Sequence, residues 1–195
     1  MTARSAIARD SIVDAALVLI REGGWDAVSA RAIAERLGAS TMPIYSAIGS
    51  MEALKQEAFA RACALLAESQ QKPRSGEGAL DLALGYVAFA RSEPRLFHFI
   101  SAMQRDLRTA MASATADTGK PGGLGDMPEL RFVLERLAAP ENKEDFVLRT
   151  FIFTHGLASL LADGSLVLKD EDIARHLREA GGAFYRYQTH EEEGR

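Results

Sequence analysis

Residues 40–46 read STMPIYS, which places four hydroxyl groups, a thioether and a proline ring on one short stretch without a single charge. Hydroxyls of Ser40, Thr41, Tyr45 and Ser46 suit hydrogen bonds to phosphate oxygens or base edges. Met42 and Pro43 suit apolar contact with thymine methyl groups. Ser29, Arg31 and Lys55 flank the stretch and offer a helix cap and two cations to the same polyanion. Catalytic chemistry has no comparable footing: there is no nucleophile elbow, phosphate loop or acidic dyad at usable spacing. His98, His155 and Cys63 fall on apolar helical patterns without metal-ligand spacing. The expectation is therefore no enzyme, no cofactor and no metal site.

The elements that must hold these residues are short. Ser29 caps a helix whose apolar face is Ala30, Ile33, Ala34 and Leu37, and Gly38 stops it. Ser40 caps the next, and Pro43 sits in its first turn, where a missing N–H costs little. Two short helices joined at Gly38–Ser40 make a helix-turn-helix over about residues 30–49. Neither is long enough to stand alone. Leu37 and Ile44 should turn inward onto Ile33 and onto Val13 of a first helix, Ser5 to Glu22, which ends at Gly23-Gly24. Any pair of short helices around a glycine shares this pattern, so spacing alone leaves both a DNA contact and a purely structural pair open.

The remaining chain keeps the helical period. A fourth helix runs from Ser50 to about Gln71, and the breaker cluster KPRSGEG (residues 72–78) follows as the expected domain boundary. Further helices are expected over Ala79–Ser92, Pro94 to about Ala112, Pro128–Ala138, Glu141–Asp163 and Asp170–Thr189. A Gly/Pro-rich loop is expected over Thr115–Pro128, and EEEGR as a solvated tail. With 195 residues and 26% charged side chains, the composition is that of a globular protein. One cysteine precludes an intrachain disulfide. The apolar run Phe146–Ala162 contains Arg149 and His155 and is read as too short and too polar to span a bilayer. A cytoplasmic protein with no membrane partner is expected. Residues 1–55 carry six basic and six acidic side chains, so the remainder holds the whole net charge of −4. A neutral head neither advertises nor forbids DNA binding.

The stretch AIARDSIVDAALVLIREGGWDAVSARAIAERLGASTMPIYSAIGSMEAL resembles the DNA-binding domain of the tetracycline-repressor (TetR) family of bacterial transcription regulators. The features that carry the likeness are ordered: a first helix ending in Gly-Gly-Trp, Ser29 and Arg31, IAERLG, Ser40, and Tyr45 four residues before Gly49. The resemblance implies that Tyr45 touches a phosphate. Two positions depart from the family pattern, Ile48 where an aromatic is usual and Met51 where a lysine commonly contacts the DNA backbone. YVAFARSEPRLFHFI and FVLRTFIFTHGLASLLADG resemble signatures of one subgroup, the Trp-His-Gly group, with Phe151 in place of the Trp.

The resemblance implies an all-α fold of about nine helices. A three-helix DNA-binding domain (6–66) would precede a larger ligand-binding and dimerisation domain (75–190). Its expected function is a homodimeric regulator, a repressor on a palindromic operator, released by a small, mainly apolar effector. The alternatives are a helical interaction module that has lost DNA binding, or a small helical enzyme. The expected DNA contacts are Ser29, Arg31, Ser40, Thr41, Met42, Pro43, Tyr45, Ser46 and Lys55. Phe59, Cys63, His98, Met103, Phe132, Phe151 and His155 are the expected pocket residues. Gly156, Ser159, Leu160, Leu177, Gly181 and Phe184 are expected at the subunit interface, because glycines in apolar helices mark close backbone approach.

Overall fold

A computed structural model describes residues 8–115 and 143–193, with side chains described for 8–106 and 145–187. Every regular element among these residues is helical. They are α1 (Arg9–Gly23), a 3-10 turn (Trp25–Ala27), α2 (Ala30–Arg36), α3 (Thr41–Ile48), α4 (Met51–Gln71) and α5 (Gly78–Ser92), followed by α6 (Pro94–Thr115), α7 (Lys143–Ala162) and α8 (Asp170–Glu193). The fold is all-α. Helix α6 runs past its expected end, and α8 continues to Glu193, so most of the expected acidic tail is helix. The helix expected over 128–138 and the loop leading to it lie outside the described residues.

Two compact units divide the chain, the first made of residues 1–65 and 93–103 and the second of 66–92 and 104–195. The division therefore falls inside α4, upstream of KPRSGEG, and the start of α6 joins the first unit. Two contacts explain why that segment belongs there. Trp25 stacks on Phe99 with ring centroids 5.6 Å apart, and Arg21 Nε donates to Glu93 Oε2 at 2.8 Å.

In the first unit, α1, α2 and α3 pack against one another. Ile12, Ile20, Ile33, Ile44 and Leu54 are fully buried, as an apolar stripe on each helix requires. Val13 and Ile48 join them. Leu37 is only half-buried, because it sits at the C-cap of α2, where the helix has already ended.

In the second unit, α7 packs on α5 and α8. At the crossing of α4 and α5 the backbones touch at Gly85: a Cβ there would lie 2.4 Å from Gln70 Cα and 2.5 Å from Ser69 O. Ser69 Oγ donates to Gly85 O at 2.8 Å across the same crossing. The loop before α5 is braced by Asp81, whose carboxylate accepts from Ser75 N and Ser75 Oγ, both at 2.6 Å.

Hydrogen bonding from the Ser75 hydroxyl, and then from backbone N–H groups, holds the Asp81 carboxyl below its ordinary pKa of 3.8. A lowered folded pKa means that the stabilisation is full above 3.8 and is lost as the pH falls through the folded value. Unfolding followed against pH should therefore show Asp81→Asn less stable than the parent at neutral pH. The gap should close as the pH drops below the ordinary carboxylate range. A gap independent of pH would show that the Asp81 charge does not hold the loop.

The stretch Asp145–Ala162 is, by length and composition, apolar enough to cross a membrane, with 18 residues at mean hydropathy 1.2. The exclusion of this run by length and polarity in sequence does not hold; Asp145, Arg149 and His155 do not outweigh its apolar content. Core helices of soluble proteins share these properties, and this one packs on α5 and α8. Its outer side leaves Ile152 61% and Leu160 48% exposed. One covered side and one open side is what the single chain displays.

Candidate nucleic-acid interface and effector cavity

The uncharged stretch lies on α3 and is aimed by its own buried residues. Ile44 and Ile48 lock one side of α3 into the first unit, which leaves the opposite side exposed at the helical period. Thr41 and Ser46 are exposed, Met42 is 74% exposed and Tyr45 49%. Pro43 is half-buried in the first turn, where it was expected. Gly49, at φ +74°, closes α3 with its N–H on Tyr45 O, a conformation that β-carbons disfavour.

The three serines differ. Ser29 Oγ accepts from Ala32 N at 3.1 Å and Ser50 Oγ from Ala53 N at 3.1 Å, so both cap their helices. Ser40 stands at the N-cap of α3 but its side chain makes no capping bond. Its hydroxyl is thus not committed to the helix start and is exposed beside Thr41 and Met42.

The basic side chains of this unit are mostly engaged by carboxylates. Arg36 pairs with Glu22 at 2.6 Å, Arg21 with Glu93 at 2.8 Å, and Arg61 with Asp14 at 3.5 Å. Lys55 Nζ lies over the Trp25 ring, 5.8 Å from its centroid. Arg31 is exposed on α2.

Arg9 has a role that residue type did not reveal. Its Nε donates to both Glu57 oxygens, at 2.9 and 2.8 Å, and Nη2 also meets Oε1. Its Nη1 donates to Ala47 O at 3.3 Å. The hydrogen bond raises the Arg9 pKa and lowers that of Glu57. Arg9 thereby ties the last turn of α3 to α4. No local signal pairs it with a carboxylate 48 residues away.

The expected pocket residues separate. Phe59, Cys63, His98 and Met103 belong to the first unit, where Met103 is buried and His98 exposed. Phe132 lies outside the described residues. Phe151 and His155 belong to the second unit, which contains a cavity of roughly 450 Å³ between α5, α7 and α8. Phe151 lines it. His155 stands just behind, with Nδ1 2.8 Å from the hydroxyl of Tyr86, another lining residue. Apolar walls come from Leu80, Leu82, Phe146 and Val147, and polar atoms from Gln70, Thr150 and Thr154. Thr150 and Thr154, one helical turn apart in a largely apolar run, are the signal in the sequence that marks this wall.

The expected interface residues also divide. Gly156 and Leu160 are exposed and Ser159 is half-buried on α7. Leu177 is buried, and it lines the cavity with Gly181 and Phe184. A Cβ at Gly156 would meet nothing within 4 Å among the described residues, so crowding by those residues does not account for that glycine. The described residues contain no group of three or more His, Cys, Asp or Glu placed to hold a metal ion.

Comparison with known proteins bears on both units. Residues 12–58 match the family model described as bacterial regulatory proteins, tetR family. Among solved structures, a protein classed as a TetR-family transcriptional regulator from Mesorhizobium loti superposes with a TM-score of 0.59 at 19% identity. The match covers 94% of this chain and 97% of that one. A TetR-like transcriptional regulator from a Rhodococcus species gives a TM-score of 0.50 at 17% identity, covering 92% and 96%. No curated protein matches the chain in sequence. The likeness to that family thus rests on residues 12–58, and the helices together have the fold of these solved structures.

Proposed function

We propose that this protein is a ligand-responsive transcription regulator, a repressor that binds a palindromic operator as a homodimer and leaves it when a small, mainly apolar effector binds. The observation that carries the proposal is the exposed, uncharged face of α3, held by Ile44 and Ile48 inside the segment that matches the family. Thr41, Met42 and Pro43 contact base edges, Tyr45 holds a phosphate, and Ser29, Ser40, Ser46, Arg31 and Lys55 complete the backbone contacts. Helix α4 is continuous from its start next to α3 into the second unit. An effector that displaces α4 changes the spacing of the two recognition helices, which must match the half-sites. Effector and operator then weaken each other's binding by the same factor.

Fluorescence anisotropy on the DNA upstream of the protein's own gene tests this directly. Tyr45→Phe should weaken every operator variant about equally, by about 1.5–3 kcal/mol for a hydrogen bond to a charged phosphate. A changed sequence preference instead would remove Tyr45 from the phosphate role. Since carboxylates engage most arginines of the head, Met51→Lys at the start of α4 should tighten binding. The slope of log K against log salt should become more negative by roughly 0.9 per added phosphate contact.

The dimer is proposed to form through α7 and α8, with Ile152, Gly156 and Leu160 as an exposed stripe on α7. Sedimentation at micromolar concentration should give twice 21.1 kDa. Gly156→Leu, at a position where an added β-carbon meets nothing within 4 Å among the described residues, should lower association while leaving the helical spectrum unchanged. A stable parent monomer would end the dimer proposal.

A further inference from the structure

The cavity in the second unit carries information about the chemistry of its occupant. Its volume, roughly 450 Å³, is that of a site for a small organic molecule. Leu80, Val147, Phe151, Leu177 and Phe184 supply apolar wall. Thr150 and Thr154 line the cavity too, and their Oγ1 atoms are buried with no hydrogen-bond partner among the described residues. Thr154 is 5% exposed. The two residues lie one turn apart on α7, so their side chains share a face of the helix. A buried hydroxyl without a partner is costly, and native structures rarely keep one without a reason.

The charges at this cavity are already matched. Glu77 and Arg178 both line it, and Arg178 Nη2 and Nε lie 3.1 and 3.2 Å from Glu77 Oε1. An ionic ligand would have to break that pair or be buried against apolar wall, and burying an unpaired charge is strongly unfavourable. A hydrocarbon, for its part, would leave both threonines unsatisfied.

We propose that the cavity binds a neutral, largely apolar molecule bearing a hydroxyl or carbonyl group, with that group hydrogen-bonded to Thr150 and Thr154. The proposal deepens the effector-released reading given above and rests on it only for the consequence at DNA. Calorimetric titration of the full chain with naphthalene, 2-naphthol and 2-naphthoate separates the three ligand chemistries. 2-Naphthol should bind about tenfold tighter than naphthalene, the gain expected from one net hydrogen bond, and 2-naphthoate more weakly than 2-naphthol. In the double variant Thr150→Val, Thr154→Val, the preference for 2-naphthol should disappear while naphthalene binds as well or better. The same variant should unfold at an equal or higher temperature, because it removes buried hydroxyls that have no partner. Equal or tighter binding of 2-naphthoate, no binding of 2-naphthol, or a preference surviving in the double variant would each overturn the proposal. If 2-naphthol binds as described and operator affinity is unchanged, the cavity assignment stands and effector release falls.

Discussion

Replacing Gly85 by Ala should lower the unfolding free energy by about 1–3 kcal/mol, the range for overpacking a tight site, and replacing it by Leu should cost more. Three atoms decide this. A β-carbon at position 85 would sit 2.4 Å from Gln70 Cα, 2.5 Å from Ser69 O and 2.8 Å from Gln70 N. All are backbone, so no side chain can rotate away and α4 and α5 must part. Ser69 Oγ bonds to Gly85 O at 2.8 Å, and that bond stretches as they separate. In an open helix the same change would stabilise, because Ala exceeds Gly in helix propensity by roughly 0.8–1.0 kcal/mol. The sign therefore reports the crossing. Urea unfolding of Gly85→Ala beside the parent measures it, and a stabilised variant would mean that the helices do not touch there.

Ile44→Ala should cost about 2–5 kcal/mol, as large-to-small changes at buried positions do, and should abolish operator binding at temperatures where the parent binds. Ile44 is 0% exposed, and it is one of two buried anchors on a helix of eight residues. A helix that short has little stability of its own. Once its anchor is truncated, Thr41, Met42 and Tyr45 lose a common orientation, so stability and DNA affinity should fall together. Thr41→Ala, on the exposed face, should change binding while hardly moving the melting temperature. Thermal melts and anisotropy on the two variants separate the roles. An Ile44→Ala protein that melts normally would show that α3 is held by other contacts.

Much of the head was legible in sequence because its signals are local. Ser29 as a cap, Gly38 as a stop, Pro43 in a first turn and the i, i+3, i+4 apolar spacing each depend on neighbours within one or two turns. The helical class and the inward side of α3 followed from such signals, and the ordered features from Gly23 to Gly49 were enough to point to the family.

What tertiary structure alone decided involves partners far apart along the chain. Trp25 on Phe99 draws the start of α6 into the first unit, although KPRSGEG looked like the boundary. Arg9 ties α3 to α4 through a carboxylate 48 residues away and the carbonyl of Ala47. The expected pocket residues fell into different units, while the described cavity formed where α5, α7 and α8 meet. Helical periodicity marks which residues share a face, and so it found the stripes. It does not say which other helix covers each stripe, and that choice assigned Gly85 to a backbone crossing, Thr154 to a cavity wall and Leu160 to the open surface.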